Sequence, residues 1–330
     1  MLKAAIEKLI EAQDLTHEEC ETVIEEMIQK QNASQMAAFL SLMRAKGETA
    51  DELYGVVLAM RKHMIPVHIQ EPTLDIVGTG GDHSNSVNIS TGSALLAAAC
   101  GVKIAKHGNR ASSSKCGSGD VLEAMGIEIQ MPPEKMIEAI DDIGMGFMFA
   151  PFYHPAFKEI IIVRKELGIR TLFNIIGPLL NPATPPFHLV GVADEKLLDL
   201  FADVMLMLGT KRSLIFYGNG LDELTPIGPC DVVEVTLDEK IRFTLDPKSL
   251  GFKRCLKKDL EGGEPSLNAK LILEALGGKK GAIGDTLILN AGVAVYVYGL
   301  AETIEEGIEI ARKAQFEGKA LEIVEKWKTF

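Results

Sequence analysis

The spacing of apolar residues changes once along this 330-residue chain, near residue 70, and this change constrains the fold more than any other feature. Residues 1 to about 65 follow helical spacing, in which Leu2, Ala5 and Leu9 recur on one face of the first helix. After Leu74, short apolar runs alternate with helical stretches. Such alternation is typical of a mostly parallel sheet flanked by helices. The sequence therefore predicts a small N-terminal all-helical domain and a large α/β domain.

The predicted boundary between the two domains is a linker that contains Pro66 and Pro72. It separates a helical domain over residues 1–70, which helices near residues 160–185 are expected to join, from an α/β domain over residues 71–330. Strands are predicted at residues 74–77, 102–105, 189–192, 213–217, 232–235 and 241–245. Helices of the second domain are predicted at residues 93–100, 195–208 and 290–298, and in one long segment after residue 303.

Local signals mark where several helices begin. A Thr followed three residues later by a Glu allows each side chain to bond a free backbone amide of the first turn. Pairs with this spacing are Thr16 with Glu19, Thr49 with Glu52 and Thr303 with Glu306. We therefore expect helices to start at these three points.

Composition excludes several classes of function. The formal net charge is −12, whereas a protein that binds duplex nucleic acid needs a basic surface. The longest apolar stretch, residues 94–102, is far shorter than the roughly 20 residues that span a membrane. The five cysteines are scattered without a C-x-x-C pair, which argues against a zinc site or a disulfide framework. We therefore expect a soluble, cytoplasmic protein with no nucleic-acid or membrane partner.

The first segment that carries chemistry is Gly-Thr-Gly-Gly-Asp at residues 78–82. Three glycines directly after a strand let backbone N–H groups approach a ligand closely, as phosphate-binding loops require. The segment is not a Walker A loop, because no Gly-Lys-Ser/Thr follows, and His83 occupies the place of the last glycine of a dinucleotide-binding fingerprint. On this segment alone, a phosphate cradle and a plain strand-to-helix turn both stay open.

Asn-Ile-Ser-Thr at residues 88–91 stands shortly before a predicted helix. Ser90 or Thr91 can serve as an N-cap, which is the commonest role of such residues. Alternatively, their hydroxyls and the first amides of the helix can hold a phosphate or a metal-bound water. The sequence favours neither role over the other.

A dense cluster of phosphate donors follows the next predicted strand. Residues 106–114 carry two fixed cations, one histidine, one asparagine and three serines, and Gly-Ser-Gly-Asp follows at residues 117–120. In open α/β sheets, ligands bind beyond the carboxyl ends of the strands, where this cluster is expected. Because the protein as a whole is acidic, the cluster is predicted to bind an anionic ligand.

Adjacent carboxylates at Asp222 and Glu223 follow the strand that is predicted to end at Tyr217. The two charges repel each other, and Mg²⁺ prefers carboxylate and phosphate oxygens as ligands. Acidic pairs on exposed loops are common, so this pair alone does not predict a metal site.

Two arginines, Arg164 and Arg170, precede a stretch rich in Asn, Gly and Pro at residues 174–182. An arginine in this region can clamp a carboxylate through two parallel hydrogen bonds. The same residues are compatible with a helix end and a tight turn. Tyr153 and His154 are candidate pocket walls, for which structural packing is the alternative.

In this order and spacing, the segments resemble the anthranilate phosphoribosyltransferase family of tryptophan biosynthesis, which shares its fold with the pyrimidine nucleoside phosphorylases. The resemblance rests on the sequence words at residues 78–82, 88–91, 106–110 and 222–223, and it extends over essentially the whole chain. It implies an Mg²⁺-dependent transfer of the phosphoribosyl group of phosphoribosyl diphosphate (PRPP) to the amine of anthranilate. It also implies a homodimer formed through the helical domain.

The resemblance further implies roles for individual residues. Those expected to contact PRPP are Gly78, Gly81, Asp82, Ser86, Asn88, Ile89, Ser90, Thr91, Lys106, His107, Gly108, Asn109, Arg110, Ala111, Ser112, Ser113, Ser114 and Ser118, with residues 106–114 as a flexible loop over the ligand. Those expected to face anthranilate are Gly78, Asn109 and Arg164, with His107, Tyr153, His154 and Pro178 along its route. Those expected to hold Mg²⁺, as two ions in each subunit, are Ser90, Asp222 and Glu223.

Four positions depart from the family pattern. The family usually has Gly at position 83, Phe or a similar residue at 87, Ser at 116, and Ala or Ser at 119. This chain has His83, Val87, Cys116 and Gly119. These differences bear on loop mobility and substrate affinity and not on the class of reaction.

Two alternative functions are considered. A pyrimidine nucleoside phosphorylase-like enzyme has the same fold and binds phosphate and a nucleoside. A non-catalytic paralogue that binds nucleic acid is disfavoured by the intact glycine and Asp-Glu motifs and by the acidic composition. Because the aromatic amine is a free nucleophile, no covalent enzyme intermediate is needed. The motifs contain no strong general base, and none is assigned.

Overall fold

In the computed structural model, which describes residues 1–30, 32–111 and 114–330, the chain begins with a bundle of four helices. They are α1 (Leu2–Ile10), α2 (His17–Lys30), α3 (Ala33–Lys46) and α4 (Ala50–Lys62). Their apolar faces pack on one another, and Val23, Phe39 and Val56 are buried in one core. The Thr49 hydroxyl and the Glu52 carboxylate form the predicted reciprocal cap of α4.

A seven-stranded sheet forms the centre of the rest of the chain. Its strands are β1 (Leu74–Gly78), β2 (Ile104–Gly108), β3 (Met145–Phe149), β4 (Phe187–Gly191), β5 (Arg212–Tyr217), β6 (Cys230–Thr236) and β7 (Lys240–Leu245). Their order is β3-β2-β1-β4-β5-β6-β7; β1 to β5 are parallel, and β6 and β7 continue the sheet as antiparallel strands. The predicted mostly parallel sheet flanked by helices is confirmed.

The helices around the sheet are α5 (Ile89–Ala99), α6 (Ser118–Ala124), α7 (Pro133–Ile143), α8 (Ala150–Tyr153), α9 (Phe157–Leu167), α10 (Leu197–Met207), α11 (Pro265–Leu276), α12 (Ala282–Tyr298), α13 (Ile304–Phe316) and α14 (Lys319–Lys328). Short 3₁₀ turns occur at Leu172–Asn174, Gly177–Leu179 and Lys257–Leu260. The single long helix predicted after residue 303 is instead α13 and α14, because Gly318 takes a left-handed φ of 71° between them. In the described part of the chain, no helix is both long enough and apolar enough to cross a membrane.

The sheet separates two apolar cores, because successive side chains of a strand point to opposite faces. Leu189 of β4 and Leu214 of β5 lie in one core, together with α5 and α12. The next residues, Val190 and Ile215, lie in the second core, which is continuous with the core of the helical bundle and also contains Ile160 of α9. The bundle therefore covers one face of the sheet, and α9 packs with it. The boundary at residue 70 stays a prediction.

The strand predicted at residues 102–105 lies further along the chain than expected, since β2 runs to Gly108. Its partner β3, which the sequence did not indicate, pairs with it in parallel register, with Lys106 opposite Phe147. The expectation that residues 106–114 form one flexible loop is therefore wrong for the first three residues, because the ladder hydrogen bonds hold them in the sheet.

Candidate active site

The carboxyl ends of β1, β2, β4 and β5 lie at one edge of the sheet, and the strand order reverses between β1 and β4. Loops diverge on the two sides of such a switch point and leave a crevice in which ligands bind. Gly78 of β1 and Gly191 of β4 are the last pair of residues across this point. The glycine segment at residues 78–82 continues from β1, so it lies at the crevice.

Asp222 crosses the ends of β1 and β4, and its approach requires glycine in both strands. A Cβ atom on Gly78 would lie 2.1 Å from Asp222 Oδ2, and one on Gly191 would lie 1.8 Å from the Asp222 carbonyl oxygen. The carboxylate also accepts a hydrogen bond of 2.6 Å from the N–H of Gly80. Asp222 therefore lies against the glycine segment, although Gly80 is 142 residues away in sequence.

Asn290 of α12 holds the loop that carries Asp222 and Glu223. Its Nδ2 donates to the carbonyl oxygen of Leu224 at 2.7 Å, and its Oδ1 accepts from the N–H of Leu224 at 3.3 Å. Gly220 has a left-handed φ of 84°, which turns the chain after β5. Asn290 was not among the residues predicted for the site, and its polar side chain within an apolar helix was the signal that could have identified it.

Negative charge exceeds positive charge at this end of the crevice. Burial, followed by the neighbouring Asp82 carboxylate, raises the pKa of Asp222 to about 7. Burial and Asp222 also raise the pKa of Glu223 well above its usual value, while Lys106 and the backbone amide of Ser90 act in the opposite direction. Asp82 Oδ2 is buried without a hydrogen-bond partner among the described residues. Carboxylates in such surroundings are stabilised by a bound proton or a bound cation.

Lys106 is the cation that acts on Glu223, and it is almost completely buried at 1% exposure. Its Nζ donates to the carbonyl oxygen of Ile76 at 2.5 Å and to Ser90 Oγ at 3.4 Å. Burial lowers the pKa of the ammonium, whereas Asp75 and Glu223 raise it. Lys106 is therefore a rigid donor beside the first turn of α5, and not part of a mobile loop.

Asp75 is a buried carboxylate that the sequence analysis missed. Its Oδ1 accepts from the N–H of His107 at 3.3 Å, and its Oδ2 accepts from Nδ2 of Asn181 at 2.8 Å. Asn181 also donates to the carbonyl oxygen of Ala105 at 2.7 Å. Burial raises the pKa of Asp75 to about 6. A charged residue inside the apolar run at residues 74–77 was the signal that could have identified it.

Asn88, and neither Ser90 nor Thr91, is the N-cap of α5. Its Oδ1 accepts from the N–H of Thr91 at 3.1 Å, and its own N–H donates to Oδ1 of Asn268 at 2.8 Å. The Ser90 hydroxyl is therefore available to Lys106 or to a ligand. Ile89, which was expected to contact PRPP, buries its side chain in the core, so only its backbone can take part.

The loop between the glycine segment and α5 is held by its own side chains. Oδ1 of Asp82 accepts hydrogen bonds of 3.0 Å from the N–H and the hydroxyl of Ser84, and the Ser86 hydroxyl donates to Ser84 Oγ at 3.0 Å. His83 has a φ of 53°, in the left-handed region that glycine adopts without strain. This backbone conformation explains why glycine suits position 83 in the family pattern.

A pocket of about 230 Å³ opens beside Gly78. Residues on its walls that the sequence analysis identified are Gly78, His107, Gly108, Asn109, His154, Arg164 and Pro178. Residues on its walls that it missed are Val77, Thr79, Ala150, Pro151, Phe157, Ile161, Phe173, Gly177 and Leu180. Gly78 therefore borders both this pocket and the Asp222 carboxylate.

Arg164 of α9 is the cationic group of the pocket. Its guanidinium lies 5.9 Å from the centroid of the Phe173 ring, and burial lowers its pKa. No acidic side chain that the structure describes forms an ion pair with it. A half-buried arginine without a carboxylate partner among the described side chains is suited to an anionic ligand.

His107 and His154 form a second wall of the pocket, with ring centroids 5.1 Å apart. Burial lowers the pKa of His107 to about 3 and that of His154 to about 4. Both imidazoles are therefore neutral at pH 7, and the fixed positive charge in the pocket comes from Arg164. The pocket suits a flat, apolar molecule that carries one carboxylate.

We expect His154→Gln to remove a pH dependence of stability. The pKa of His154 is about 4 in the folded protein and about 6.5 in an unfolded chain. The unfolded chain thus binds the proton first as the pH falls below 6.5, so the wild type loses stability. Between pH 7.5 and 5.0, the wild type should lose about 2 kcal/mol more unfolding free energy than the variant. Urea denaturation at both pH values measures this difference, and equal losses would contradict a neutral, buried imidazole.

Two residues that were assigned to the site from the sequence have other partners in the structure. The Arg110 guanidinium donates to Glu123 at 2.7 Å and lies 4.8 Å from the Phe149 ring centroid, so these contacts engage its charge. Tyr153 does not line the pocket, because its side chain is buried in the core and its hydroxyl donates to the Met131 carbonyl at 2.8 Å.

The remaining residues of the predicted PRPP loop are placed only in part. The N–H of Ala111 is already bonded to an aspartate of α6 at 2.7 Å. Ser114 is exposed, and Ser118 begins α6. Ser112 and Ser113 lie outside the described residues, so their predicted contacts stay predictions.

Two sequence families match nearly the whole chain. Residues 3–64 match the family described as "Glycosyl transferase family, helical bundle domain", and residues 70–321 match "Glycosyl transferase family, a/b domain". The chain is 47% identical to an anthranilate phosphoribosyltransferase of Chlamydia felis, over 100% of this chain and 96% of the relative. It is 43% identical to one of Methanosarcina mazei, over 100% of this chain and 90% of the relative.

Solved structures of the same enzyme share the fold. An anthranilate phosphoribosyltransferase from Thermus thermophilus superposes with a TM-score of 0.93 at 39% identity, over 98% of both chains. One from Saccharomyces cerevisiae, in complex with PRPP and Mg, superposes with a TM-score of 0.91 at 28% identity, over 99% of this chain and 97% of that one. A complex of the yeast enzyme with 4-fluoroanthranilate gives a TM-score of 0.88 at 27% identity, with the same coverage.

Proposed function

The chain belongs to the anthranilate phosphoribosyltransferase family, and we propose from this that it transfers the 5-phosphoribosyl group of PRPP to the amine of anthranilate. The products are N-(5-phosphoribosyl)anthranilate and diphosphate, in the biosynthesis of tryptophan. The observation that carries the proposal is the position of Gly78, which borders both the Asp222 carboxylate and the pocket of Arg164. A metal-bound sugar diphosphate and an aromatic acid can therefore meet at one point.

The glycine segment, Lys106 and the first turn of α5 form the proposed diphosphate side of the site. In the glycine segment, the amides of Gly81 and Asp82 are the candidates, because those of Thr79 and Gly80 already donate to Gly191 and Asp222. Helix α5 adds its first amide, that of Ile89, at a helix N-terminus. Lys106 Nζ lies 3.4 Å from Ser90 Oγ, so the cation and the hydroxyl face the same space. These groups are donors, as binding of an anionic diphosphate requires.

The acidic side of the crevice fits Mg²⁺. Asp222 is buried, the adjacent Glu223 is half-buried, and Asp82 has a buried oxygen without a partner among the described residues. In the described part of the chain, no group of three or more His, Cys, Asp or Glu side chains encloses a metal by itself. This suits Mg²⁺, which keeps several waters and binds through one or two carboxylates and substrate phosphates. We propose that Ser90, Asp222 and Glu223 hold two ions in each subunit, directly or through water.

The proposed mechanism needs little covalent chemistry from the protein. When bound, Mg²⁺ neutralises charge on the departing diphosphate. Lys106 and the loop amides, which are fixed before reaction, stabilise the same charge. The bond between ribose C1 and the diphosphate oxygen breaks, a bond between C1 and the amine nitrogen forms, and the nitrogen releases one proton to water. Holding the two substrates in line can supply up to roughly 7–11 kcal/mol of the reduction in the barrier.

Arg164 is proposed to bind the carboxylate of anthranilate, with the aromatic ring between apolar walls that include Phe173 and Pro178. This contact directs the amine toward Gly78 and the sugar. His107 and His154 are weak bases, with pKa values of about 3 and about 4, so neither is assigned as a general base.

We also propose a cytoplasmic homodimer that forms through the helical domain. Exposed apolar side chains on this side of the molecule support such an association, including Ile10 of α1 at 57% exposure and Ile162 of α9 at 46%. The five cysteines are all free, which suits a reducing compartment. The acidic composition supports the absence of a nucleic-acid partner.

The loss of anthranilate fluorescence on incubation with PRPP and Mg²⁺ tests the proposed function. We expect the signal to fall only when both are present, and omission of either to stop the reaction. Uridine with inorganic phosphate should not be cleaved. Phosphorolysis of uridine without PRPP-dependent loss of anthranilate would instead favour a nucleoside phosphorylase, and a salt-sensitive gel shift would favour the nucleic-acid-binding paralogue.

A further inference from the structure

We propose that Arg170 is a positioning residue for the PRPP side of the site, because its guanidinium fixes the carbonyl groups of Gly80 and Gly81 and so sets the direction of the amides in that segment. The inference rests on the proposed function. Unlike Arg164, Arg170 is not among the residues that line the acceptor pocket. It lies beyond the end of α9 and is exposed.

Two separate hydrogen bonds join Arg170 to the outer side of the glycine segment. Nη1 donates to the carbonyl oxygen of Gly81 at 3.2 Å, and Nη2 donates to that of Gly80 at 3.3 Å. The N–H of Gly80 donates to Asp222 Oδ2 at 2.6 Å. The Arg170 guanidinium therefore holds the two carbonyl groups of the segment, and the Asp222 carboxylate holds the amide of Gly80. A segment fixed in this way before binding loses less conformational entropy when it binds a ligand.

The guanidinium packs closely against the glycine at position 81. A Cβ atom on Gly81 would lie 2.5 Å from Nη2 and 2.7 Å from Cζ of Arg170, whereas one on Gly80 would meet nothing within 4 Å. Both glycines have left-handed φ values, 70° for Gly80 and 80° for Gly81. Backbone conformation therefore favours glycine at both positions, and at Gly81 a side chain would also displace the guanidinium from the two carbonyls.

The backbone of Arg170 is in turn anchored by the helical bundle. Arg44 of α3 donates from Nη1 to the carbonyl oxygen of Arg170 at 2.5 Å. A continuous series of hydrogen bonds thus runs from α3 through Arg170 to the glycine segment and on to Asp222. The helical bundle thereby helps to position groups at the crevice.

Lysine cannot reproduce these contacts. A guanidinium is planar and presents its donors as a rigid fork, whereas an ammonium is a compact charge on a flexible stem. If Arg170 acted by attracting diphosphate through its charge, lysine would largely replace it. Arg170→Lys therefore separates positioning of the carbonyls from general electrostatic attraction.

The test compares Arg170→Met and Arg170→Lys with the wild type and with Arg242→Met, which removes an exposed guanidinium from the edge strand β7. In both Arg170 variants, we expect the KM for PRPP to rise roughly ten-fold or more, because charge-assisted bonds that hold the segment are lost. The KM for anthranilate should stay within about two-fold of the wild type. The thermal midpoint of unfolding of both Arg170 variants should stay close to that of Arg242→Met. The control variant Arg242→Met should itself have wild-type kinetics.

A wild-type KM for PRPP in Arg170→Met, its restoration in Arg170→Lys, or equal losses for both substrates would each overturn the inference. A wild-type protein that does not consume anthranilate with PRPP would instead contradict the proposed function. The two failures are therefore distinguishable in one set of assays.

Discussion

Replacing Asp222 by Asn and Glu223 by Gln together is expected to lower turnover by roughly a hundred- to a thousand-fold and to abolish saturation by Mg²⁺. At the crevice, Asp222 is buried and Glu223 is half-buried, and Asp222 contacts the glycine segment through Gly80. The amide side chains keep the size of the originals but lack the charge that binds Mg²⁺. Steady-state rates across a magnesium titration measure the effect, with circular dichroism to show that the fold is kept.

The chain contains a matched control for this experiment. Asp238 and Glu239 form another adjacent Asp-Glu pair, exposed in the turn between β6 and β7. The same double substitution there should leave turnover and the magnesium response unchanged. Unaltered magnesium dependence in the Asp222/Glu223 variant, or a comparable loss in the control, would show that the pair at the crevice does not hold the metal.

Arg164→Met is expected to lower kcat/KM for anthranilate by roughly ten- to a hundred-fold, the usual loss when a hydrogen bond to a charged group is removed. The KM for PRPP should change by less than about two-fold. The loss should be confined to anthranilate, because Arg164 is the cation of the acceptor pocket and the two histidines of that pocket are neutral. Initial rates measured with each substrate varied in turn separate the two effects.

The neighbouring Lys165 provides the control for Arg164. It lies on the same helix and is exposed, so Lys165→Met should leave both substrate constants unchanged. Anthranilamide, which lacks the carboxylate, should be used almost equally well by the wild type and by Arg164→Met. Equal losses for PRPP and anthranilate in Arg164→Met would discredit the arginine as the carboxylate clamp.

The division into a helical bundle and an α/β domain was predictable, because the spacing of apolar and capping residues along the chain indicates it. Apolar periodicity and helix caps depend on residues a few positions apart. The predicted pairs Thr16 with Glu19 and Thr49 with Glu52 both form their reciprocal hydrogen bonds. At the third predicted start, Thr303 accepts from the N–H of Glu306, but the Glu306 carboxylate bonds the N–H of Glu302 instead.

The ends of strands were less predictable, because distant residues decide them. Lys106 belongs to β2 because that strand pairs in parallel with β3, where Lys106 lies opposite Phe147, about 40 residues further along the chain. The strand β3 (Met145–Phe149) was missed because it contains a glycine and no β-branched residue, although all five of its residues are buried.

The candidate site was predictable as a set of segments but not as a set of contacts. Adjacent Asp-Glu pairs occur at residues 51–52, 194–195, 222–223 and 238–239. Composition alone does not indicate which of these pairs belongs to a metal site. In the structure, it is the pair at 222–223 that reaches Gly80. Likewise, Arg164 and Arg170 looked equivalent in sequence, yet one lines the pocket and the other binds the glycine segment.

A crystal structure of the protein with PRPP and Mg²⁺ tests most directly whether the glycine segment, Lys106 and the Asp222–Glu223 pair share one ligand. We expect metal–oxygen distances of about 2.1 Å to the diphosphate and to a carboxylate or its bound water, with ribose C1 facing the pocket of Arg164. A PRPP molecule bound away from the end of β1, with the metal remote from Asp222 and Glu223, would contradict the account.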